Sequence, residues 1–186
     1  KAWDTAPESH FRVHDDMPYA NIATRMKLLR DEENLYVRIE SLQPTKHPED
    51  FYTREPDKDT FTQEYVELAI APLTAGGKVY RFAVNPVEGS RYDSVNTPGK
   101  NDFVEDKTWN GTWQYRFGVT GKKGPYSLPD RTWTAWFKVP FADLGTAPKS
   151  GESWGFNASR GCNGQNILWL DAPYGSPRKA LGKVKF

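Results

Sequence analysis

Apolar and polar positions alternate along most of this chain, and the alternation predicts short β-strands. The densest block is 61–72 with its return segment 79–86. Successive side chains of a strand point to opposite faces. Val66, Leu68 and Ile70 therefore share one face, and Phe61, Gln63, Tyr65 and Glu67 the other. The return segment splits the same way, with Tyr80, Phe82 and Val84 against Arg81, Ala83 and Asn85. Gly76 and Gly77 between them suit a hairpin loop. Pairing the two apolar rows buries one face and leaves Glu67, Arg81 and Asn85 beside aromatic rings on the other. Such a face suits a hydroxylated ligand, and it equally describes an ordinary solvent-facing sheet.

The same reading extends over the chain. Residues 1–21 form a lead-in with one short edge strand. Segments 24–29 and 35–40 predict a hairpin, with Met26 and Leu28 facing the same core as Leu35, Val37 and Ile39. The polar, proline-containing stretch 41–60 reads as a long loop. A short strand is expected over 90–95 and a polar loop over 97–108. Trp113, Tyr115, Phe117 and Val119 give the cleanest period of two in the chain. Trp133, Ala135, Phe137 and Val139 alternate with Thr134, Trp136 and Lys138, and Pro140 ends that strand. One helical turn over 141–144 is stopped by Gly145, and strands follow around Trp154, over 167–170 and over 181–186. About ten short strands with minimal helix predict an all-β protein, an antiparallel, jelly-roll-like β-sandwich spanning 1–186 as a single domain.

Composition narrows the chemistry. A chain of 186 residues suffices for one core. The net charge of +1 supplies no global field for nucleic acid or an anionic membrane. Cys162 is the one cysteine, so no internal disulfide forms. No apolar run reaches the length of a membrane span, and no signal-peptide pattern is present. The start at Lys1, without an initiator Met, suggests a piece of a larger protein. Catalysis is not expected: Glu64 and Glu67 fall on opposite faces and cannot flank a glycosidic bond. His10, His14 and His47 lack metal-ligand spacing. Asp57, Asp59, Glu105 and Asp106, all in expected loops, are oxygen donors of the kind calcium takes, with Asp57 and Asp59 the metal candidates.

Seven segments in order carry a resemblance. They are Leu35-Tyr36-Val37, Phe61 with Glu67, Phe82-Ala83-Val84-Asn85, Trp133 to Phe141, Trp154-Gly155-Phe156-Asn157, Ile167-x-Trp169-x-Asp171, and Gly182-x-Val184-x-Phe186. The pattern resembles the family 9 carbohydrate-binding modules and the wider DOMON-like sandwich domains. That resemblance implies a non-catalytic β-sandwich that holds sugar between two aromatic rings and often carries structural calcium. It also implies an accessory role beside a secreted glycoside hydrolase. Carried over by position, one clamping ring falls at Phe61, where the family has Trp, and the other at Tyr174. Glu67 keeps the family's Glu. The family's Arg falls at Ala83, with Arg81 one pleat away on the same face. Its Gln becomes Ser159, beside Arg160, and its Glu before Val139 becomes Trp136. Trp169 corresponds to a packing residue. The scaffold is kept while the contact set is largely rewritten.

The expected partners are thus a saccharide and a neighbouring domain of an exported bacterial protein, the chain itself being a monomer. Phe61 and Tyr174 would take the apolar face of a sugar, and Glu67, Arg81, Ser159 and Arg160 its hydroxyls. Removing roughly 100 Å² of apolar surface from water contributes about 2.5 kcal/mol, which with a few hydrogen bonds suits millimolar to micromolar affinity. Three alternatives stand beside this. Phe61 and Tyr174 could simply pack, the chain could be a docking domain without a ligand, or it could bind haem as DOMON-like domains do. Met17, Met26 and the histidines would then be candidate axial ligands, although alternation puts Met26 on the core face.

Overall fold

The computed structural model describes residues 2–11, 23–42, 61, 64–86, 90–121, 132–162, 165–169 and 181–186. Among these residues a four-residue helix α1 (Ala2–Thr5) precedes twelve strands. They are β1 (Glu8–His10), β2 (Thr24–Arg30), β3 (Asn34–Leu42), β4 (Tyr65–Ala71), β5 (Val79–Val84), β6 (Tyr92–Pro98), β7 (Phe103–Asp106), β8 (Gln114–Thr120), β9 (Thr132–Pro140), β10 (Ser153–Cys162), β11 (Gln165–Leu168) and β12 (Gly182–Lys185). They form two antiparallel sheets, one in the order β1-β2-β3-β9-β8 and one in the order β11-β10-β4-β5-β6-β7. The strand β12 joins the second sheet along the same edge of β10 that β11 uses further on. The expected all-β sandwich is what the chain forms.

Alternation explains how the layers meet. Met26, Leu35, Val37, Ile39, Ala135, Phe137 and Val139 of one sheet pack on Val66, Leu68, Ile70, Phe82, Val84, Phe156 and Ala158 of the other, all buried in one continuous core. Side chains of this kind each contribute about 1.5–3 kcal/mol on full burial. Trp113, Trp133 and Trp154 are also enclosed, with Trp113 stacked on Phe137 at 5.8 Å and 16°. In the loop of the central hairpin, Gly76 and Gly77 both take positive φ, at 63° and 77°, which a side chain would resist. Among the described residues no helix is long and apolar enough to cross a membrane.

Three details depart from the sequence reading. The strand β4 begins at Tyr65, so Phe61 precedes it instead of lying in it. The segment read as a polar loop over 97–108 contains β7, paired with β6 through Val95 to Pro98. The strand with the cleanest alternation, β8, is a sheet edge whose Val119 is 36% exposed. A period of two reports that a strand has two different faces and says nothing of how deeply either is covered.

Candidate functional site

The outward face of β4, β5, β6 and β10 gathers the site. Glu67 points away from the core, with Ser159 of β10 and Ala83 of β5 as its register partners. Ser159 Oγ donates to Glu67 Oε2 at 3.1 Å. Arg81 lies one pleat along β5 and donates from Nε to Glu67 Oε1. Its Nη1 donates to Glu105 Oε1 at 2.6 Å. The same carboxylate oxygen accepts from Tyr92 OH at 2.8 Å and from Ser94 Oγ at 3.1 Å. Phe61 lies against this network, edge-on to Tyr65 and Tyr92 at 5.0 and 4.8 Å, with the Arg81 guanidinium 5.0 Å from its ring centre. Glu67, Arg81 and Ser159 are 2%, 7% and 2% exposed, so the face is a covered polar layer and not the open platform expected. The Glu105 side chain, 20% exposed, is where the network reaches the surface.

Burial and pairing compete in setting the charges here. Burial works against the charged form of Arg81, but the Glu67 carboxylate and the hydrogen bond to it prevail, and its pKa rises. Burial also pushes the Tyr92 hydroxyl up to about 12, with its bond to Glu105 acting in the same direction. At Glu105 burial acts upward, and the hydrogen bond from Tyr92 and the Arg81 charge overcome it, so the carboxyl stays ionised to lower pH than usual. The result is a fixed array of donors and acceptors with alternating charge.

The structure therefore brings Phe61, Glu67, Arg81 and Ser159 together. Arg160 does not join them. It pairs with Val66 in register and so faces the interior, where it is 0% exposed. There its Nε donates to Glu64 Oε1 at 2.6 Å and its Nη1 to Thr24 Oγ1 of the opposite sheet at 3.2 Å. Trp133 Nε1 donates to Glu64 Oε1 at 3.2 Å. One step along a strand reverses the face, and that step separates Arg160 from Ser159. Tyr174, Asp57 and Asp59 lie outside the described residues. Asn85 is a turn clamp, donating from Nδ2 to Glu64 O at 2.7 Å and accepting from Ser90 Oγ at 2.6 Å.

Glu105, Tyr92 and Ser94 join this network although the sequence analysis does not bring them to it. Alternation along 90–95 already placed Tyr92 and Ser94 on one face, and continuing the sheet beyond β5 would have brought them to Arg81. Glu105 carried no such signal, because its strand read as loop. Among the described residues no group of three or more His, Cys, Asp or Glu could hold a metal ion. Glu105 accepts from Arg81, and Asp106 accepts from Thr108 N and Oγ1. Met26 is 1% exposed within the core, on the face that alternation gave it, while His14, Met17 and His47 lie outside the described residues. Trp169 packs edge-on to Phe156 at 5.7 Å, in the packing role the resemblance implied.

No protein-family model matches the chain, and no curated protein matches it. Solved structures do. A candidate carbohydrate-binding protein from Bacteroides uniformis ATCC 8492 superposes with a TM-score of 0.73 at 11% identity, over 98% of this chain and 87% of that one. A family 9 carbohydrate-binding module from Caldicellulosiruptor kristjanssonii in complex with glucose gives 0.62 at 14% identity, over 100% of this chain and 86% of that one. The cellotriose complex of a module from the same organism gives 0.57 at 14% identity, over 100% and 84%. At these identities the likeness is one of fold, and the fold this chain shares is the sandwich of the family 9 modules.

Proposed function

We propose that this chain is a non-catalytic saccharide-binding domain, accessory to a polysaccharide-processing protein outside the cell. The observation that carries the reading is the Ser159–Glu67–Arg81–Glu105 network on the outer face of the sheet. A solvent-side face has no need of buried charge, and desolvating such a pair is expensive unless it is fully hydrogen-bonded. Fixed donors and acceptors beneath an aromatic ring are what a sugar's hydroxyl rim and apolar face require. The modules of like fold were solved with glucose and cellotriose, which makes neutral glucosides the first ligands to test. In this reading Phe61 and Tyr174 take the sugar's faces, and Glu67, Arg81 and Ser159 form the floor.

The closure of that floor favours a second reading, a docking domain with no ligand of its own. Calorimetry against glucose and cello-oligosaccharides separates the two. Binding in the millimolar to micromolar range, abolished in Tyr174→Ala with a nearly unchanged melting curve, is the expected result. Silence on a broad glycan array, or binding that survives both Tyr174→Ala and Phe61→Ala, would overturn it. Structural calcium enters the proposal through Asp57 and Asp59 alone. Its expected sign is a melting midpoint that falls on adding a chelator.

A further inference from the structure

The outer face of the other sheet carries an open groove of about 810 Å³ over β3, β9 and β8, lined by Trp3, Tyr36, Gln114, Arg116, Trp136 and Lys138 among others. Cross-strand register sets Arg38, Trp136 and Arg116 in one row and Tyr36, Lys138 and Gln114 in the next. The indole of Trp136 thus has an arginine position on each side and a lysine two residues along its own strand. The ring extends over Gly118, where an added Cβ would come within 3.3 Å of its six-membered ring. The missing side chain leaves β8 clear for an aromatic surface. Trp136 is only half-buried and Arg116 is exposed.

The charges of the face are unequal in how far they are committed. Arg25 and Arg38 both pair with Glu40. Asp31 accepts from Tyr36 OH at 2.8 Å. Among the described residues Arg116 and Lys138 have no carboxylate partner, and Arg38 Nε has no hydrogen-bond partner. A neutral sugar both donates and accepts through its hydroxyls, and this groove offers it chiefly donors. A docked protein core would meet charge where interfaces are depleted of it. Nucleic acid would need a wider positive field than a net charge of +1 supplies. A sugar chain bearing carboxylates matches both the ring and the cations.

We propose that this groove binds an acidic saccharide, a uronic-acid chain, with one sugar face on Trp136 and its carboxylates on Arg116 and Lys138. The assignment stands apart from the Phe61 site and does not depend on it. The test is calorimetry with a galacturonic acid tetramer and, in parallel, cellotetraose, at low and at raised salt. The expected result is salt-sensitive binding of the acidic tetramer, weakened about tenfold or more by Trp136→Ala and by the Arg116→Glu/Lys138→Glu pair. The charge-reversed pair should also lose the salt dependence while melting as the parent does. Gly118→Val should weaken binding by crowding the indole, and Phe61→Ala should leave it intact. The proposal is overturned if the acidic tetramer does not bind, or binds all these groove variants as it binds the parent. It is equally overturned if cellotetraose binds as well and is lost with Trp136→Ala, or if Trp136→Ala dissolves a self-association that the parent shows.

Discussion

Two glutamate–arginine pairs, Glu64–Arg160 and Glu67–Arg81, stand three residues apart around the start of one strand and do different things. The inner pair is locked between the sheets, with side chains 5% and 0% exposed, and bonds from it reach Thr24 and Trp133 of the facing sheet. It ties the two layers together. The outer pair is nearly as buried, yet its bonds run along a single sheet to Ser159 and Glu105 and end under Phe61. Burial alone does not tell a structural ion pair from one that can serve a ligand. The destination of the remaining hydrogen bonds does.

Breaking the inner pair should have the largest effect. Arg160→Met strands Glu64 between the layers and should lower stability by about 3–5 kcal/mol in denaturant unfolding. Adding Glu64→Gln should return most of that loss, because the uncompensated charge is the main cost. Arg81→Met should cost about 3 kcal/mol for the same reason. Here the added Glu67→Gln should restore stability without restoring saccharide binding, a split that the inner pair cannot show. If both double variants bind the sugar as the parent does, the comparison fails.

Smaller effects sharpen it. Glu105→Gln removes a charged acceptor and should cost on the order of 1–2 kcal/mol at neutral pH. The Glu105 carboxyl is held below its ordinary value of 4.5. Its contribution is therefore complete above that value and lost as pH falls through the depressed one, so Glu105→Gln should flatten the acid limb of the stability profile. Tyr92 has the opposite sign. Its hydroxyl is raised from 10.0 to about 12. Stability from the neutral phenol is complete below pH 10 and fades as pH rises toward 12, and a late phenolate transition, absent in Tyr92→Phe, would report it.

The architecture was largely legible in the sequence because alternation forces it. Leu35, Val37 and Ile39 against Ala135, Phe137 and Val139 admit only one inward face. The site was legible in part. Glu67 and Ser159 follow from a shared register row, and Arg81 from an offset of one pleat within its reach. Arg160 was misassigned because adjacency in sequence is opposition in a strand. Glu105 was missed because a four-residue edge strand, Phe103–Asp106, is too short for its alternation to rise above a polar surrounding. Depth was not legible either: nothing local distinguishes the enclosed Trp133 from the half-buried Trp136, three residues away on the other face.

The opposite orientation of Glu64 and Glu67 also bears on how the chain finds its native alignment. Sliding β4 by a single position against β10 would drive Glu67 into the oily interior and turn Glu64 outward, each abandoning its guanidinium. The apolar row guards against the same error, since Val66, Leu68 and Ile70 would turn outward and leave only Tyr65, Ala69 and Ala71 beside Glu67 to fill the core. The two acids work as keys cut for different locks, and misthreaded hairpins should be rejected before the layers close.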